Sequence, residues 1–119
     1  MARLNAVGKE RDFWAVVPVT SYQESMAMGK TMEDMGFVGA FGLQIYGPPF
    51  APLVPLACAS SKLKVGSGVA VAASRSPFET AYAAMDMDRI TDGRFVLGLG
   101  TAITVSYTHL RAHETRPYR

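Results

Sequence analysis

Four apolar runs of strand length recur along this chain, and each gap between them carries helix-start or turn chemistry. The runs occupy residues 13–18, 37–43, 63–72 and 94–100. Continuous apolar runs, as opposed to alternating ones, are what strands buried on both faces look like. Strands alternating with helices at short intervals indicate βαβ units and a parallel sheet covered by helices. Two architectures satisfy that pattern: an open doubly wound sheet, or the first half of an eight-stranded barrel. A complete barrel takes about 250 residues, so a chain of 119 residues reaches only part of the way.

The helix signals are specific. Ser21 followed by Glu24 forms a capping box, in which hydroxyl and carboxylate satisfy backbone donors reciprocally. That helix is expected to run to Met35, with Gly36 as its left-handed stop and Met28, Met32 and Met35 sharing a core-facing side. A short helix is expected over residues 51–60, where Pro52 suits the first turn and Pro55 is the weak point. Ser76, Pro77 and Glu79 make a third start, and Asp92-Gly93 ends that helix after Thr91. Cys58, the single cysteine, excludes an internal disulfide and is expected to be a small buried hydrophobe.

The tail reads differently from the body. Residues 105–115 resemble one reading frame of a transposon-end adaptor used to make sequencing libraries, so residues 105–119 are expected to be non-native and to contribute nothing to the core. Residues 1–104 are then expected to be the front part of a longer, truncated protein. Arg111, Arg116, Arg119 and Glu114 lie in the tail, and without them nine basic and nine acidic residues remain. The net charge of +2 thus belongs to the tail, and no basic footprint for nucleic acid or an anionic membrane is left. Both histidines, His109 and His113, are tail residues as well, so no metal site or triad is expected in the body. The N-terminus lacks the hydrophobic core of a signal peptide, and a cytoplasmic location is the expectation.

In either architecture ligands bind where parallel strands end. Polar candidates after the second strand are Gln44 and Tyr46. The exit of the third strand, residues 66–77, carries small residues and Arg75 but no acid or base, which suits a flat aromatic ligand against backbone. After the fourth strand, Gly98-Leu-Gly-Thr101 starts like a dinucleotide fingerprint, but Ile103 stands where the third glycine belongs. The milder reading is a phosphate approached by backbone amides and the Thr101 hydroxyl.

Four motifs in order then resemble the N-terminal half of the bacterial luciferase-like superfamily of flavin- and deazaflavin-dependent oxidoreductases. They are Met35-Gly-Phe37, Lys64-Val-Gly-Ser-Gly-Val69, Arg75-Ser-Pro-Phe-Glu-Thr-Ala81 and Asp88-Arg-Ile-Thr-Asp-Gly-Arg-Phe-Val-Leu-Gly-Leu-Gly-Thr101. The resemblance implies half of a (β/α)8 barrel, as a partial domain over residues 1–104. It also implies a non-prolyl cis peptide at Gly68–Val69, under an isoalloxazine ring resting on Gly68, Val69 and Ala70. By the same resemblance, a side-chain contact falls on Gln44, and phosphate or ribityl contacts fall on Gly100, Thr101 and Ala102. The implied cofactor is coenzyme F-420 or flavin mononucleotide (FMN), and the branch resembled favours F-420. The implied activity is hydride transfer or monooxygenation of a small organic substrate, by a protein that forms homo-oligomers when complete; the fragment alone is expected to be inactive.

The chain departs from the family where some members carry Asp-His, because Gln44-Ile45 cannot ionise. No catalytic acid or base is therefore transferred. A non-catalytic flavin-binding or partner-binding barrel is the alternative reading. Gly68→Val is expected to weaken cofactor binding while leaving the fold intact.

Overall fold

The computed structural model describes residues 11–45 and 47–101. Strands and helices alternate as follows: β1 (Trp14–Val17), α1 (Tyr22–Asp34), β2 (Gly39–Gly42), α2 (Leu53–Cys58), β3 (Lys64–Ser67) and β4 (Ala70–Val71). A 3-10 turn (Ala72–Ser74), α3 (Pro77–Ile90), β5 (Phe95–Val96) and β6 (Leu99–Gly100) complete the described part. All pairings are parallel. One sheet has the order β1-β2-β3-β5, and β4 pairs with β6 beside it. In the four-stranded sheet each strand lies next to the following one of that sheet with a helix between, as in a growing barrel wall.

The helix starts follow the sequence signals in their serine half; the Glu24 carboxylate accepts from the Thr20 hydroxyl instead of the Ser21 amide, so the reciprocal box expected there is corrected. Ser21 Oγ accepts from Glu24 N at 3.3 Å, and Ser76 Oγ accepts from Glu79 N at 3.1 Å, with Pro77 in the first turn. Gly36 (φ 87°) takes the left-handed conformation after α1, as Asp92 (φ 58°) and Gly93 (φ 81°) do after α3. The core lies between the sheet and the helices: Val17, Ala40 and Val65 from strands, Leu53, Leu56 and Ala57 from α2, Leu63 before β3, and Met87 from α3. Helix α1 approaches α2 closely at Gly29, where a Cβ would stand 2.6 Å from the Leu56 carbonyl oxygen.

Several expectations are corrected. The third and fourth apolar runs are each broken into two short strands. Gly68 N donates to Gly42 O on one side, whereas Ala70 N donates to Gly98 O on the other. In a regular strand those two amides would point the same way, so the chain changes neighbour between them. Met28 and Met32 pack on the core, but Met35 is exposed, because it sits past the last turn of α1 as its cap. Cys58 is also exposed, since α2 ends on its solvent side there. Among the described residues, no helix is long and apolar enough to cross a membrane.

Candidate functional site

The C-terminal ends of the strands gather the small residues that the sequence singles out. The Gly68–Val69 peptide bond is cis, at the position the family resemblance gives. Immediately after it, Ala70 pairs with Leu99 and Val71 with Gly100, so the third-strand exit and the segment ending in Gly100 and Thr101 lie side by side. Ser67 joins them from below. Its hydroxyl accepts from Gly98 N at 2.9 Å and donates to Gly98 O at 2.8 Å, a side chain standing in for a backbone ladder. A plain strand serine gives no sequence signal for that role.

A cleft of about 60 Å³ opens over this junction, lined by Leu43, Gln44, Ile45, Gly68, Val69 and Val71. Val69 is 39% exposed, while Ala70 is fully buried beneath it. Leu43 and Ile45 also line a larger cavity of about 840 Å³ with Val16, Val19, Pro48 and Pro52, at the ends of β1 and β2. That is within the range of small-molecule sites, roughly 300–1,000 Å³. Among the described residues, none that lines either space carries an ionisable side chain. The arrangement can hold a flat, largely apolar group.

Gln44 borders the cleft, with its side-chain amide engaged by the protein. Its Oε1 accepts from Val71 N at 2.8 Å and from Arg75 Nη2 at 3.1 Å, and its Nε2 donates to Ser74 Oγ at 3.0 Å. Arg75 lies over the Phe50 ring at 5.4 Å, and Phe50 meets Phe95 at 6.1 Å between centroids. Thr101 is exposed at the end of the described segment, whereas Tyr46, Ala102 and the tail 105–119 lie outside the described residues.

The glycines here also have a packing role that sequence reading missed. A Cβ on Gly68 would stand 2.6 Å from the Phe41 ring, and one on Gly100 would stand 2.6 Å from Val69 Cγ2. Gly68→Val would therefore push on Phe41, which itself meets Trp14. Gly68→Val requires the Phe41 ring to shift, a packing demand that the sequence expectation did not include.

The opposite, N-terminal face of the sheet carries charge instead. Glu33 accepts from the backbone amides of Ser61, Lys62 and Leu63 at 2.8, 2.8 and 3.1 Å, and from Ser61 Oγ at 3.0 Å. These donors, that of Lys62 foremost, hold its carboxyl at about 2, below its ordinary 4.5, against the opposing effect of desolvation. Arg94 donates to Thr91 O (2.8 Å), Leu63 O (2.9 Å), Ala57 O (3.0 Å) and Ser60 Oγ (3.2 Å). It thereby ties the ends of α2 and α3 to the start of β3. Such features at the bottom of a barrel serve stability.

Comparisons with known proteins agree with the fold. Uncharacterized proteins of Mycobacterium tuberculosis and Mycobacterium bovis are 38% identical over 72 residues, which is 60% of this chain and 21% of theirs. A Mycobacterium tuberculosis protein named for coenzyme F-420-dependent oxidoreductase activity is 28% identical over 97 residues, 81% of this chain and 27% of its own. The chain thus spans about a quarter of the length of the curated relatives it matches. Among solved structures, the coenzyme F-420-dependent tetrahydromethanopterin reductase of Methanopyrus kandleri superposes with a TM-score of 0.74 at 25% identity, over 84% of this chain and 30% of that one. A monooxygenase of Streptomyces bottropensis shares the fold, with a TM-score of 0.68 at 18% identity over 85% of this chain and 36% of that one. Residues 7–113 match the model of the luciferase-like monooxygenase family, and the chain belongs to that family.

Proposed function

We propose that this chain forms the cofactor-binding wall of an oxidoreductase that uses coenzyme F-420, with FMN as the second candidate. The observation that carries the reading is the exposed surface at Gly68–Val69, flanked by Leu43 and Ile45 and continuous with an apolar cavity. A flat ring needs a surface of this kind, poor in side chains and open on one side. The residues present fit it: Gly68 brings no side chain, and Val69, Leu43 and Ile45 bring only apolar atoms. In this reading the ring lies over Gly68, Val69 and Ala70, with the phosphate end near Gly100 and Thr101, and with Ala102 beyond them. When bound, F-420 supplies hydride chemistry and reduced FMN supplies reactivity toward oxygen, both properties of the cofactor that the protein orients.

The chain's own residues bind and exclude water. Leu43, Ile45, Val19 and Pro48 make an apolar wall against which a small organic substrate is held. Among the described residues, none that lines the cleft has an ionisable side chain, so a proton required by the reaction comes from water, from substrate or from outside these residues. The F-420 resemblance of two relatives supports the deazaflavin over FMN. In a further part of the proposal, the complete protein acts as a homo-oligomer on a small molecule, with no nucleic-acid or membrane partner.

The test is a titration of the intact protein with F-420 and with FMN, followed by fluorescence. F-420 should bind at least as tightly as FMN, and each should compete with the other. Failure of both to bind would remove the proposal. That the described residues lining the cleft are all non-ionisable favours one second reading, a barrel that binds the cofactor without turnover. Reduction or oxygenation of any organic substrate by the intact protein would exclude it.

A further inference from the structure

The ladder between β2 and β3 stops at the bond from Gly68 N to Gly42 O. Beyond it, the Val71 amide has no β2 carbonyl to meet, and Val71 is only 3% exposed. A buried amide left without a partner is strongly destabilising. Here Gln44, two residues past the end of β2, supplies the missing acceptor through its side chain at 2.8 Å. The Val71 carbonyl is held from the same side. Ser74 Oγ donates to it at 2.8 Å, and Arg75 Nη1 approaches it at 3.4 Å. Arg75 Nη2 and Ser74 Oγ also fix both ends of the Gln44 amide, so its oxygen faces two donors and its nitrogen faces one acceptor. The Phe50 ring supports the guanidinium from beneath.

We infer that Gln44 and Arg75 are positioning residues: together they fasten the peptide of Val71 to the end of β2 and so fix the tilt of the Gly68–Val69 surface. This rests on the cofactor-binding reading above, and it assigns Gln44 a role through the platform in place of a direct ligand contact. The chemistry required of residue 44 is an acceptor within reach of Val71 N and Arg75. Glutamate keeps that acceptor, adds a charge complementary to Arg75 and gives up only the Nε2 bond to Ser74 Oγ. Leucine keeps the bulk and loses the acceptor.

The experiment compares Gln44→Glu, Gln44→Leu and Arg75→Met in the intact protein, by cofactor titration with F-420 and FMN and by hydrogen exchange at the Val71 amide. Gln44→Leu should weaken binding by about tenfold and speed exchange at Val71 by a similar factor, while the protein still unfolds cooperatively. Gln44→Glu should stay within about threefold of the parent in both. Arg75→Met should weaken binding less in the Gln44→Leu background than in the parent, because the two residues act on one peptide. The inference is overturned if Gln44→Glu binds as poorly as Gln44→Leu, which is the behaviour of a direct amide-donor contact. It is also overturned if Gln44→Leu binds as the parent does, or leaves Val71 exchange unchanged. Should the parent bind neither cofactor, the reading under Proposed function fails and this one with it; the variants fail separately only when the parent binds.

Discussion

Glu33 shows how one side chain can organise a loop. Three consecutive amides, of Ser61, Lys62 and Leu63, converge on its carboxylate just before β3 begins. An anion accepting several backbone N–H bonds is favoured over its protonated form, which is why its pKa falls to about 2 from 4.5. A depressed folded-state value means the bond contributes stability above pH 4.5, where the unfolded chain is also ionised. That contribution fades as pH falls from 4.5 toward 2. Glu33→Gln keeps one acceptor but loses the charge, and in a partly exposed site the cost is reduced by solvent screening to about 1 kcal/mol. Urea midpoints of parent and Glu33→Gln, measured in the intact protein, should differ at pH 7 and converge near pH 2. A difference that persists unchanged at pH 2 would contradict the carboxylate's role.

Between elements, the crossing of α1 and α2 turns on Gly29. Helix propensity alone favours alanine over glycine inside a helix by about 1 kcal/mol. Packing argues the other way, because the added Cβ would stand 2.6 Å from the carbonyl oxygen of Leu56. That atom is backbone in a helix whose Leu53, Leu56 and Ala57 are buried in the core, so it cannot move aside cheaply. Overpacking of this kind costs about 1–3 kcal/mol, and it should outweigh the propensity gain. Gly29→Ala is therefore expected to lower the thermal midpoint of the intact protein. A rise in the midpoint would mean that the helices separate without loss.

At the scale of the whole molecule, the sheet is open among the described residues. β1 and β5 are its edges, and the strand residues Val16 and Val96, on the two edge strands, are 50% and 46% exposed. Unpaired edges and exposed apolar faces favour association. The 119-residue polypeptide should therefore run as dimers or larger species in sedimentation velocity. A monomer that melts cooperatively above about 50 °C, within the usual mesophilic range, would contradict this.

Element order, helix starts and the parallel sheet were legible in the sequence because local chemistry encodes them. Ser21 and Ser76 bond to amides three residues away, Gly36 and Gly93 accept left-handed backbone, and apolar runs of strand length need cover on both faces. The family motifs also gave the position of the cis peptide at Gly68–Val69. What tertiary structure alone decided depends on partners distant in the chain. The splitting of the third run follows from Gly42 and Gly98 lying on opposite sides of it. The Ser67–Gly98 and Gln44–Val71 bonds join residues 31 and 27 positions apart, and Arg94 reaches Ala57, 37 positions back. The packing need for glycine at residue 68 exists only because the Phe41 ring folds over it. A residue's type records which bonds it can make; which of them it makes is fixed when the strands come together.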